Sequence, residues 1–179
     1  MPANVTWESY QEIVAWPEVD WAIPISLGDS YRGYRVVGTD RSFLTRYRFG
    51  DGQSPRLAAG EWFDERFDAV VGAEVAATLG LAPGAEITLA HGLRSTDFAE
   101  HDNAPFRVSG TLAATGTPVD RSVFVGLDGI EAMHFGWRNG VRTPLARIAD
   151  PARLARMDLE PDSVSAIFLG LRSPIDLLR

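Results

Sequence analysis

The chain has 179 residues, 45% of them hydrophobic, which is enough for one domain or two small subdomains sharing a core. Its 24 acidic residues outnumber 17 basic ones, a net charge of −7, which makes a nucleic-acid backbone or an anionic membrane surface a poor partner. Every basic residue is arginine and there is no cysteine, which excludes Schiff-base and phosphate-loop lysines, thiol nucleophiles, thiolate zinc sites and disulfides.

Thr6 reads as the N-cap of a helix carrying Trp7, Tyr10, Ile13 and Val14 at helical spacing and stopped by Pro17; Trp7 and Trp16 are expected in the core. Trp21 to Ser26 reads as a strand whose Pro24 predicts an edge or a bulge. Leu27-Gly28-Asp29-Ser30 reads as a hairpin turn, and Tyr34 to Gly38 returns as the next strand. Ser42 to Phe49 predicts a short helix ended by Gly50. Asp68 to Val71 reads as a buried strand; Gly72 then opens a helix over Ala73 to Leu79, closed by Gly80. Ala85 to Ala90 is a further strand, and His91 to Ala104 a polar loop. Phe106 to Leu112 and Ser122 to Val125 are strands flanking a turn at Thr117-Pro118, and Leu127 begins a helix through Ile130 and Met133. Pro144 to Met157 holds a helical stretch around Arg153, and Ser163 to Leu171 is the last strand.

The order is mixed, with hairpins interrupted irregularly by helices, which predicts an α+β fold. No apolar run approaches the 18 residues of a membrane span, and the first residues lack a signal-peptide pattern. Ser173-Pro174 starts a helix that has no room to complete itself, so the segment reads as excised from a longer protein.

Several stretches occur together in one order: Tyr34 to Asp40, Ala59 to Phe63, Val70-Val71-Gly72-Ala73-Glu74-Val75-Ala76, Leu79-Gly80-Leu81 with Pro83-Gly84, Phe106 to Leu112, Thr115 to Arg121, and the strand from Ser163. From about Tyr10 to Arg172 this order resembles the periplasmic core domain of FtsX/MacB-type ABC-transporter permeases, and the Thr115 to Arg121 stretch is its most specific part. The resemblance implies a domain inserted between two transmembrane helices. It implies a discontinuous α/β porter-like subdomain (residues 1–57 and 145–179) and an inserted β-rich subdomain (58–144). It further implies a bacterial inner-membrane protein whose domain faces the periplasm or the cell exterior. The role implied is non-catalytic: coupling ATP-driven motion of the membrane segments to export or to a periplasmic partner. A cytoplasmic ATPase subunit would act through the missing membrane parts, with a dimer in the full permease and a monomeric isolated domain. No catalytic, cofactor-binding or metal-binding residue carries over.

Two rival readings remain: a periplasmic binding or interaction module, and a serine esterase of the GDSL type. Gly28-Asp29-Ser30 matches that nucleophile block, but such a serine needs a His base oriented by an Asp; the late His134 follows Glu131 instead. His91 and His101 share a polar loop with Asp97, Glu100 and Asp102, at spacings that match no metal-ligand pattern. Asp120 and Arg121 are neighbours in a strand start, so at least one is expected to pair elsewhere. Phe135 and Trp137, in the irregular stretch after the helix, are the candidate partner-contact residues.

Overall fold

The computed structural model describes residues 4–91, 105–135, 137–138, 141–142, 151–154 and 156–173. His101 with its acidic neighbours Asp97, Glu100 and Asp102, and the helix expected after Ser173, lie outside those residues.

Strand β1 (Val5–Thr6) leads into helix α1 (Trp7–Val14), whose N-cap Thr6 accepts a hydrogen bond from the Ser9 amide at 3.2 Å. Then come β2 (Val19–Tyr31), β3 (Tyr34–Thr39), α2 (Ser42–Arg46), β4 (Leu57–Gly60), β5 (Asp68–Val71) and α3 (Ala73–Leu79). Short strands β6 (Glu86–Ile87) and β7 (Ala90–His91) precede β8 (Phe106–Leu112), a 3-10 turn (Pro118–Arg121), β9 (Ser122–Gly126) and α4 (Leu127–His134). The pair β10 (Trp137–Arg138) and β11 (Val141–Arg142), helix α5 (Pro151–Leu154), β12 (Ser163–Val164) and β13 (Ala166–Leu171) complete the described elements.

Nine of the described strands form one mixed sheet. Its path runs β13-β2-β3-β9-β5-β8-β4, with β6 added beside β8 and β7 beside β2. The pairs β3–β9 and β5–β8 are parallel and the rest are antiparallel, which is the α+β character expected. Strand β9 separates β3 from β5, so the sheet's centre is assembled from segments far apart in the chain.

The central strands read Val-Val and Val-Phe-Val because both faces of the sheet are covered. On one face Val36, Ala69, Val71, Val123 and Val125 meet Val75 of α3 and Ile130 and Met133 of α4. On the other, Val37, Val70 and Phe124 meet Phe43 of α2, Trp62 and Phe63. The Phe124 ring centroid lies 4.8 Å from that of Phe43 and 6.0 Å from that of Trp62. Gly38 lets α4 approach the sheet: a Cβ there would stand 2.9 Å from Ile130 Cγ1.

Several expectations need correction. Leu27 to Ser30 is not a turn: β2 runs straight through it, with a register shift against β3 between Leu27 and Ser30. The hairpin turns at Arg32 and Gly33, both at positive φ (48° and 85°). Pro24 behaves as expected, since β3 pairs with β2 only from Ser26 onward and the proline lies where β13 is the only neighbour. The helix from Ser42 stops at Arg46, because Phe49 and Gln53 bridge across a loop with Gly50 and Gly52 at positive φ. The strand expected over Ala85 to Ala90 is broken into β6 and β7, which pair with different strands, and His91 belongs to β7 rather than to a loop. Trp16 is 54% exposed, not in the core, because it follows the end of α1 instead of facing the sheet; Trp7 is only half-buried.

The Thr115 to Arg121 stretch forms a closed knot of polar bonds. The Asp120 carboxylate accepts from the Thr115 amide, the Thr115 hydroxyl and the Gly116 amide, each at 2.8 Å. Arg121 turns the other way, 3.5 Å from Glu74 of α3 and over the Tyr34 ring. Both residues therefore pair elsewhere rather than with each other.

Candidate functional site

A cleft of about 550 Å³ opens where the β2 bulge, the C-terminal half of α4 and the segment before β12 meet. Strand β2 contributes Ser26 to Asp29, α4 contributes Ile130, Glu131 and His134, and Phe135 follows at the helix end. Asp158, Glu160 and Asp162 close the opposite wall. Five carboxylates and one imidazole thus face one cavity. Glu131 and His134 stand three residues apart on a helix and share a face.

The imidazole of His134 lies with Nε2 at 3.3 Å from Asp29 Oδ1. The Asp29 side chain is only 3% exposed and that of His134 is 32% exposed, so the pair joins α4 to the bulge at the cleft's inner edge. Burial lifts the Glu131 carboxyl above its usual range. His134 and a backbone hydrogen bond at Asp162 oppose that rise, and the Asp162 and Asp29 charges add to it.

A carboxyl whose folded pKa exceeds its unfolded value favours the fold while protonated. That contribution is complete below the unfolded value, near 4.5, and is lost as pH rises through the raised folded value. Glu131→Gln is therefore expected to raise the urea midpoint at neutral pH and to flatten its fall above pH 4.5. Equal slopes for the two proteins would show that Glu131 is not the group responsible.

The esterase reading required Ser30 beside His134. The structure brings Asp29 there instead, and Ser30, the next residue of the strand, lies outside the cleft lining. Asp29 and Ser30 stand opposite His91 and Ala90 of β7 in register. Among the described residues no group of three or more His, Asp or Glu side chains is placed to hold a metal. Phe135 lies half-buried on the cleft's lining, whereas Trp137 is in β10, paired opposite Arg142 of β11. The sequence signalled Glu131 and His134 only as a failed Asp-x-x-His pattern. Their cleft, and the Asp29 contact 105 residues away, needed the fold.

The class of the chain follows from its family: it is an extracytoplasmic domain of the MacB type of transporter. The chain belongs to the MacB-like periplasmic core domain family, whose model matches residues 1–170. Among solved structures it is similar to the extracellular domain of the noncanonic ABC-type transporter YknZ from Gram-positive bacteria. That match has a TM-score of 0.58 at 12% identity, over 99% of this chain and 79% of that one. A permease-protein domain from Porphyromonas gingivalis matches with a TM-score of 0.49 at 13% identity, over 96% of this chain and 64% of that one. The periplasmic region of MacB from Actinobacillus actinomycetemcomitans matches with a TM-score of 0.46 at 10% identity, over 72% and 57%. At such identities the first match establishes a shared fold, and nothing further is drawn from the other two. No curated protein matches the chain.

Proposed function

We propose that this domain transmits ATP-driven motion of a permease's membrane segments to a periplasmic or extracellular partner or cargo, and that it catalyses no reaction itself. The observation that carries this reading is the family match over residues 1–170. The sheet supports it: its central strands are packed on both faces, and packed cores shift between discrete arrangements rather than deforming continuously. In this reading the motor is a separate cytoplasmic ATPase subunit, and dimerisation resides in the full permease. Phe135 and Trp137 form a contact point for the extracytoplasmic partner, at the end of α4 beside the acidic cleft.

The test uses the full-length permease together with its ATPase. Replacing residues 5–171 by a flexible Gly/Ser linker is expected to leave ATP hydrolysis in place while abolishing export or partner activation. Unimpaired export by the linker version would overturn the proposal.

A further inference from the structure

The two ends of the sheet are built differently. At one end β4 has four residues, its register against β8 shifts between Leu57 and Ala59, and Gly60 stands at φ 70°. Short, bulged edges of that kind resist pairing with another chain. At the other end β13 keeps one register against β2 from Ala166 to Gly170, and among the described residues β2 is its only strand neighbour. Its six residues, Ala166-Ile167-Phe168-Leu169-Gly170-Leu171, include no charge and no proline, the usual guards of an edge.

Pro24 fixes which backbone groups of β13 face outward. It has no N–H and stands opposite Ile167, so that pair cannot exchange two hydrogen bonds. Bonded and non-bonded pairs alternate along an antiparallel ladder, so Ile167 and Leu169 turn their N–H and C=O groups to the open side. The Arg172 amide donates to the Glu18 carbonyl at 2.9 Å, which continues the alternation and leaves Leu171 facing outward as well. Phe168 is 44% exposed and Leu169 is 40% exposed. Neighbours in a strand point to opposite faces, so the edge is apolar on both.

We propose that β13 pairs antiparallel with β13 of a second copy of this chain, about a two-fold axis at Leu169. Only an extended polypeptide meets an alternating row of donors and acceptors, and this strand complements itself. Centred on Leu169, the pairing bonds Leu169 to its own copy and Ile167 to Leu171 on either side, so all three outward residues are satisfied. On one face Leu169 meets Leu169 and Ile167 meets Leu171. On the other, Phe168 stands across from Gly170, which has no side chain to obstruct the ring. Trp21 already lies over that glycine, since a Cβ there would stand 2.1 Å from its Nε1, so the incoming phenylalanine meets an indole. No charged residue of β13 opposes a like charge.

The area decides where this pairing acts. A six-residue edge buries less than the roughly 1,200–2,000 Å² of stable interfaces, so free domains stay monomeric at micromolar concentration. Two copies held in one assembly reach effective concentrations of about 1 mM, at which such an edge closes. The pairing is a property of the 1–179 chain and does not rest on the transport reading.

The experiment is sedimentation equilibrium of the 1–179 chain up to about 1 mM at physiological salt, with Leu169→Lys and Leu169→Glu beside it. The parent chain is expected to dimerise at the top of that range. Each variant alone sets like charges opposite one another and is expected to weaken dimerisation at least about tenfold. An equal mixture of the two variants is expected to regain it, because Lys then faces Glu. Leu169 is partly exposed, so neither change disturbs the core. A parent chain that stays monomeric at 1 mM, or a dimer that both variants leave intact, would overturn the proposal. Failure of the mixture to associate would overturn it too, since Leu169 would not then lie on the two-fold axis.

Discussion

Phe124→Ala is expected to lower the unfolding free energy by about 3–5 kcal/mol, a large share of the roughly 5–15 kcal/mol that holds a domain together. Phe124 is 1% exposed and sits in β9, the strand that joins the β2–β3 side of the sheet to the β5–β8 side. Its ring packs against both Phe43 and Trp62, and both neighbours are anchored elsewhere: Phe43 in α2, and Trp62 against Phe63 at 4.6 Å. Because they cannot collapse freely into the space, the cavity persists, and the cost lies above that of simple transfer to water. Urea unfolding of the variant checks this, read by tryptophan fluorescence, which senses Trp62 directly. A loss below about 1 kcal/mol would mean that the aromatic layer is loosely packed and that β9 is held mainly by the other face.

Gly72→Ala is the second large effect. The backbone at Gly72 is ordinary for any residue, with φ −66° and ψ 159°, so the glycine is not there for its conformation. An added Cβ would lie 2.3 Å from the Val119 carbonyl oxygen and 2.5 Å from that of Asp120. Those oxygens belong to the 3-10 turn, which is pinned by the Asp120 bonds to Thr115 and Gly116 and by Arg121 on Glu74. The Gly72 amide also donates to the Ser122 carbonyl at 2.8 Å, so neither side yields easily. Overpacking against fixed backbone is expected to cost about 3 kcal/mol, at the upper end of such substitutions. The checking measurement is the thermal midpoint of Gly72→Ala beside Gly80→Ala. Gly80 has φ 65° and open space around it, so its alanine variant meets conformational strain alone and should lose less.

Local signals carried a large part of the fold because they act over a few residues. The Thr6 cap, the Gly72-to-Gly80 helix frame, the buried Asp68–Val71 strand and the Phe106–Leu112 strand all fall where propensity and capping place them. Legibility failed where one stretch had two local solutions. Gly28-Asp29-Ser30 has turn chemistry, yet it lies inside a 13-residue strand that both β3 and β7 pair with, so sheet pairing overrides the turn preference. Trp16 likewise looks apolar enough for the core, but a helix that ends at Val14 cannot aim it there. The candidate site shows the same division. Glu131 and His134 were visible as a pair, while their meeting with Asp29 depended on α4 crossing β2 beside the bulge.

The sequence by itself determined the chemistry that is absent, the sites of most strands and helices, and the family to which the order of its stretches belongs. Only the tertiary structure decided which strands are neighbours. The parallel pairing of β3 with β9 joins residues nearly ninety positions apart, Arg35 with Ser122 at one end and Thr39 with Gly126 at the other, and it is selected because Val36, Val37, Val123 and Phe124 are apolar on both faces and need two covering layers at once. It also decided which polar groups converge: Asp29 with His134 in the cleft. No short-range preference encodes that meeting, because it follows from how the two layers pack against the sheet.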